Sequence, residues 1–136
     1  MGRILAIDYG GKRCGMAWTD VLQISNNPLE TVKTEAFEEI LKEFIDGGEV
    51  SDVVFGLPAH ADGNLTKIGE RIIKIIERFR IKYLEIQFHT IDESFTSVRA
   101  VQHMLDMGVK KKKRRQKESV DQMSAVLILR DFLNKI

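Results

Sequence analysis

The chain has 136 residues, 43% hydrophobic and 30% charged, which suits one domain spanning 1–136 with its own core and is too short for two ordinary ones. No apolar run approaches the ~18–20 residues of a membrane span and no signal-peptide pattern precedes the first strand. The single cysteine, Cys14, excludes an internal disulfide, and this fits a cytoplasmic, reducing setting. The net charge of +1 is unevenly spread. Residues 110–117 hold seven of the 21 basic residues, and the remaining chain sums to −6. An acidic body with one basic segment is the pattern of a local nucleic-acid contact.

Ile4 to Ile7 are four apolar residues without alternation, as in a strand buried on both faces. The strand runs into Asp8-Tyr9-Gly10-Gly11-Lys12-Arg13. The two glycines predict a turn, since glycine takes positive φ without strain. Cys14 to Trp18 predict the returning strand of a hairpin whose first strand lies mid-sheet. Asp8 then ends a central strand, where a carboxylate is costly to desolvate unless a cation or hydrogen-bond donors face it. Three roles compete for this stretch: a turn cap, a phosphate cradle, or a metal-binding carboxylate. Asp-x-Gly after a buried strand serves metal-bound nucleases and the nucleotide-binding lobes of sugar kinases and actin-like ATPases alike.

Asn26-Asn27-Pro28 predicts a turn, and Leu29 to Lys33 a short third strand at or near an edge. Thr34 is a candidate cap for a helix whose stripe is Phe37, Ile40, Leu41, Phe44 and Ile45, stopped by Gly47-Gly48. Asp52 to Pro58 is the next buried strand, leaving through Gly56-Leu57-Pro58 into the polar loop Ala59 to Leu65. Thr66 can cap a second helix to about Arg80, with Ile68, Ile72, Ile75, Ile76 and Phe79 inward. Its other side carries Lys67, Arg71, Lys74, Arg78 and Arg80, a solvated face. Leu84, Ile86 and Phe88 alternate with polar residues in a strand that ends at Asp92-Glu93. Thr96 or Ser97 can cap a third helix through Val98, Val101, Met104 and Leu105, closed by Gly108. The basic run follows as a loop, and Ser119 can cap a last helix. The order β-β-β-α-β-α-β-α-α predicts an α/β fold with a mixed five-stranded sheet and helices on both faces.

The chemistry is carried by acidic residues. Asp8 ends the first strand and Asp92-Glu93 the last. Asp121 lies in the first turn of the final helix, with Ala125, Ile128 and Phe132 following on the side that faces the body. Complementing the helix N-terminus is its competing role. Asp8 and Glu93 can occupy neighbouring strand ends, and a helix packed across the sheet can bring Asp121 to the same edge. Clustered carboxylates resist ionising together, which a hard divalent cation such as Mg²⁺ resolves. The chemistry would be metal-assisted hydrolysis of a nucleic-acid backbone. Adjacent strand residues point to opposite faces, so one of Asp92 and Glu93 is expected to join the metal and the other not. His60, His89 and His103 have no metal-ligand spacing. Tyr9, Trp18 and Phe95 could stack on bases, with packing the alternative.

The chain resembles the YqgF family of bacterial Holliday-junction-resolvase-like proteins, also described as candidate pre-16S ribosomal RNA nucleases. The residues that carry the resemblance are Asp8-Tyr9-Gly10-Gly11-Lys12-Arg13-Cys14-Gly15 with Ala17 and Asp20, then Gly56-Leu57-Pro58 with Asp62-Gly63. Asp92-Glu93 with Thr96 and Ser97 follow, and last the basic run and Val120-Asp121 with Ala125 and Ile128-Leu129. The resemblance spans essentially the whole chain. It implies a ribonuclease H-like fold and a cytoplasmic metal-dependent endonuclease in 5′-end maturation of pre-16S ribosomal RNA. Asp8, Glu93 and Asp121 would be the catalytic, metal-binding carboxylates, with Mg²⁺ or Mn²⁺ as cofactor. Holliday junction resolution and a non-catalytic nucleic-acid-binding role are the alternatives. The family's usual Arg and Leu after the Asp-Glu pair are replaced here by Ser94 and Phe95. The partner would be structured RNA or branched DNA and not a membrane, with either a monomer or a dimer compatible. Lys12 and Arg13 could contact the scissile backbone. The stronger phosphate contact is the run Lys110, Lys111, Lys112, Lys113, Arg114, Arg115 and Lys117, because it leads directly into the helix that bears Asp121.

Overall fold

The computed structural model describes residues 2–58, 65–93 and 117–135. Six strands form one mixed sheet: β1 (Arg3–Tyr9), β2 (Arg13–Thr19), β3 (Asn26–Pro28), β4 (Val32–Lys33), β5 (Val50–Pro58) and β6 (Gln87–Glu93). The spatial order is β3-β2-β1-β5-β6, with β4 also paired to β2. β1 runs antiparallel to β2 and parallel to β5, which in turn is parallel to β6. The carboxyl ends of β1, β5 and β6 therefore share one edge, the edge where open α/β sheets place their ligands.

Two helices, α1 (Thr34–Asp46) and α2 (Lys67–Lys82), cover one face. Their stripes, led by Phe37, Leu41, Ile72 and Ile76, pack on Leu5, Ile7, Met16, Val53 and Phe55. The other face is covered by α3 (Lys117–Lys135), whose Ala125, Ile128, Leu129 and Phe132 close over Ile4, Ala6, Ala17, Val54 and Ile91. Ile4 to Ile7 alternate between these two cores and are all buried, which is why they carry no polar position. Each such fully buried large side chain contributes roughly 1.5–3 kcal/mol.

Five expectations are modified. Asn26–Pro28, expected as a turn, is a strand, and of the expected strand Leu29 to Lys33 only Val32–Lys33 pairs, so the sheet has six strands and not five. Pro28 has no N–H to continue the ladder. Thr34 is the first residue of α1 and caps nothing. Its hydroxyl donates to the Gly10 carbonyl at 2.7 Å, tying α1 to the β1–β2 turn. Neither Gly10 nor Gly11 has positive φ. Gly10 is needed because a Cβ there would meet the Arg13 carbonyl oxygen. α2 continues to Lys82 and a turn from Tyr83 to Ile86 follows, so β6 starts at Gln87 and Leu84 is 81% exposed. Thr66 does cap α2, accepting from the Gly69 N–H at 3.0 Å. α3 begins at Lys117, two residues before the expected cap Ser119. The loop 59–64 and the expected third helix lie outside the described residues.

Candidate carboxylate site

The pleat of β1 sets the geometry. Ala6 belongs to the core under α3 and Tyr9 to the core under α1 and α2, so Asp8 falls on the α3 face. Asp8 is directly opposite Gly15 in the β1–β2 register. Gly15 in turn is where α3 comes down on the sheet. A Cβ at Gly15 would overlap the Asp121 carbonyl oxygen, and would sit 2.6 Å from its carbonyl carbon and 3.2 Å from its Cβ. One glycine thus lets two residues 113 positions apart approach across a strand pair. α3 is held in that place by Gln122, which donates to the Leu29 carbonyl at 2.9 Å, and by Asn26, which donates to the Val126 carbonyl at 2.9 Å.

Arg13 completes this corner. Its Nε donates to Oδ2 of Asp121 at 2.9 Å, and the Asp121 side chain is only 13% exposed. The guanidinium offsets part of the cost of bringing a second carboxylate towards Asp8. The field of both acids is felt at Cys14. Burial pushes the Cys14 thiol above its ordinary value, and the negative charges of Asp8 and Asp121 add to the rise, against hydrogen bonds to Thr34 and Gly10. The thiol is thereby kept neutral beside the site.

Glu93 ends β6, its backbone in register with Pro58 of β5. Position 93 follows Ile91 by one pleat repeat, on the face that carries the α3 core. Asp92 alternates to the other face and is exposed. The Glu93 carboxylate lies outside the described side chains, as do residues 94–116, which include Ser94, Phe95 and most of the basic run. Lys117 opens α3, while Lys12 is exposed at the tip of the β1–β2 turn. Among the described residues, no three acidic, histidine or cysteine side chains form a metal-holding group. The described part of the set is Asp8 with Asp121. Both are hard oxygen donors at the strand-end edge, half-buried and close to a fixed cation, so their chemistry fits a hard divalent metal once a third carboxylate joins.

His89 is structural. Its Nε2 lies 2.8 Å from Asp52 Oδ2 and its ring is 4.7 Å from that of Phe132. Trp18 packs edge-on against Phe44, with the Arg3 guanidinium over its ring. Two features escaped sequence reasoning. The Arg13–Asp121 pair spans 108 residues and has no local signal. Gly15 did have one, an isolated glycine inside an apolar strand, which marks close approach of another backbone.

A relative from Phocaeicola vulgatus, named "Putative pre-16S rRNA nuclease", is 41% identical over 133 residues, covering 98% of this chain and 96% of its own. One from Flavobacterium psychrophilum with the same name is 38% identical over 135 residues, covering 99% and 98%. Among solved structures, Thermus thermophilus RuvC in complex with Holliday junction substrate superimposes with a TM-score of 0.55 at 13% identity, covering 99% of this chain and 96% of that one. The shared fold is ribonuclease H-like. No helix among the described residues is long and apolar enough to cross a membrane. The family model described as "RuvX: Holliday junction resolvase" matches residues 2–135, a span that takes in Asp8, Gly15, Glu93 and Asp121 together. The chain belongs to that family.

Proposed function

We propose that the protein is a cytoplasmic endonuclease that hydrolyses phosphodiester bonds of structured nucleic acid, acting in 5′-end maturation of pre-16S ribosomal RNA. Asp8, Glu93 and Asp121 are its metal-binding catalytic carboxylates. The observation that carries this reading is the close approach of Asp121 to Gly15, directly opposite Asp8. The Arg13 ion pair accounts for Asp121 alone, but not for its seat opposite a second carboxylate, since like charges repel. The names of the relatives supply the substrate.

Mg²⁺ or Mn²⁺, when bound, would lower the pKa of a coordinated water and stabilise the charge that develops on the phosphodiester oxygens. The chain's own residues do the rest. Asp8 is fixed by the ladder of β1 and Asp121 by the seat of α3 on Gly15, so neither needs ordering when substrate arrives. Arg13 holds Asp121 through Oδ2, which orients that carboxylate. Lys12, exposed one residue earlier, contacts a phosphate of the bound strand in this reading. The basic run, Lys110 to Lys113, Arg114, Arg115 and Lys117, precedes Asp121 in sequence and supplies further phosphate contacts.

The second reading, resolution of four-way DNA junctions, is favoured by the family description and the fold shared with RuvC. One assay separates the two. A labelled precursor ribosomal RNA fragment and a four-way DNA junction are incubated with the protein in Mg²⁺, Mn²⁺ or EDTA. Specific cutting of the RNA with either metal and none in EDTA is expected. Paired symmetric cuts in the junction, with the RNA intact, would move the assignment to the resolvase. Cutting undiminished by EDTA would remove the metal from the account.

A further inference from the structure

On the opposite side of the sheet from Asp8 and Asp121, α2 carries a stripe of cations. Lys67, Arg71, Lys74, Arg78 and Lys82 follow at i, i+4, i+7, i+11 and i+15, which places all five along one line of the helix. The line is ~22 Å long. Glu70 and Glu77 border it on the solvent side, Glu70 between Lys67 and Lys74 and Glu77 one turn beyond Lys74, and Arg78 is paired with Glu38, so among the described residues the stripe's unpaired cations cluster at its first half. Lys67, Arg71 and Lys74 are exposed, and no ion pair involves them among the described residues.

The head of the stripe meets the site edge. Arg71 donates to the Tyr9 hydroxyl at 2.9 Å, and its guanidinium lies 5.3 Å from that ring centroid. Tyr9 immediately follows Asp8 but points to the other face, its ring edge-on to Phe37. Burial raises the Tyr9 pKa above its ordinary 10.0. Its oxygen accepts from Arg71. Tyr9 and Arg71 share a cavity of about 460 Å³ with Lys12, Thr34, Glu35 and Glu38. Of the two acids, Glu38 is already held by Arg78 through both oxygens, at 2.7 and 3.2 Å. Lys12, at the tip of the β1–β2 turn, lines the cavity and follows Asp8 by four residues.

We propose that the α2 stripe, entered through Lys12 and Arg71, is a second track for the phosphate backbone of the substrate. A nucleic acid cut at the carboxylates passes over the β1–β2 turn to Arg71, with Lys67 one turn to one side of it and Lys74 one turn to the other as further phosphate contacts. The protein is then built for substrates with a second arm, since a short strand would fill the carboxylate edge alone. This rests on the nuclease reading above, deepens it by naming the substrate class, and is tested separately from it.

Binding of a labelled RNA with a long duplex arm, of a four-way DNA junction and of a short single strand is measured by anisotropy in EDTA across a salt series. The proteins are wild type, Lys67→Gln/Arg71→Gln/Lys74→Gln, and Lys67→Gln/Lys74→Gln, which leaves the Tyr9 contact intact. A further double variant, Arg130→Gln/Lys135→Gln on exposed positions of α3, removes the same charge as the stripe double variant and is its net-charge control. The triple variant should bind both armed substrates about ten-fold or more weakly, with a log-affinity against log-salt slope shallower by about 2. The double variant should lose a proportionate share, and the short strand should bind all four proteins alike. Unchanged affinity and slope in folded triple and double variants would overturn the proposal, as would an equal loss in the α3 control. Failure of all four proteins to cleave in Mg²⁺, with the stripe variants still losing armed substrate, would remove the nuclease reading and leave the track standing.

Discussion

At the scale of single residues, Gly15 decides whether the site exists. A side chain there meets Asp121 backbone, which cannot swing aside as the end of a long side chain would. Gly15→Ala should therefore destabilise the fold by about 1–3 kcal/mol, as overpacking does. The measurement is the urea midpoint, expected to fall with an unchanged slope. Metal-dependent cleavage should fall further than stability alone explains, because α3 must lift and take Asp121 away from Asp8. A midpoint and cleavage rate equal to wild type would mean that α3 is not seated on Gly15. Asp8 itself was legible from sequence, because a buried apolar run that ends in a carboxylate needs a partner. Asp121 was singled out as well, from its place early in the last helix, but its seat on Gly15 was not, because only the packing of α3 supplies it.

At the scale of elements, α3 and α1 are both buried against the sheet but differ in consequence. Leu129 and Leu41 are each fully buried, one under α3 and the other under α1. Truncation of either to Ala should cost about 2–5 kcal/mol. Measured where both variants remain folded, Leu129→Ala should lose more cleavage, since α3 bears Asp121 and α1 bears no carboxylate of the site. Equal losses would show that α3 contributes only stability. The apolar stripes of α1, α2 and α3 were readable from their period, since burial of one face is what creates it. Strand pairing was less readable. Asn26–Pro28 pairs as a strand where its composition suggests a turn, only Val32–Lys33 of the next stretch pairs, and β6 starts later than its alternation suggests because α2 extends to Lys82. Thr34 fits the cap pattern by composition, yet the Gly10 carbonyl takes its hydroxyl.

At the scale of the whole molecule, the two faces of the sheet divide the labour. The α3 face gathers Asp8, Gly15, Arg13 and Asp121, while the α1–α2 face presents the cationic stripe. The β1–β2 turn joins them. The placement of the acids at one edge was legible, because parallel strands share their carboxyl ends. Which acids meet depended on contacts between distant parts of the chain, Arg13 with Asp121 above all.

The central claim is that Asp8, Glu93 and Asp121 act together through a divalent metal, and one measurement tests it most directly. Single-turnover cleavage of the precursor RNA in Mg²⁺ is compared for wild type, Asp8→Asn, Glu93→Gln and Asp121→Asn, with substrate affinity measured in parallel. Each carboxamide should slow cleavage by at least about 100-fold while leaving affinity within a few-fold, since a metal ligand is lost and the phosphate contacts are not. A variant that is folded, binds normally and cuts at the wild-type rate would contradict the account.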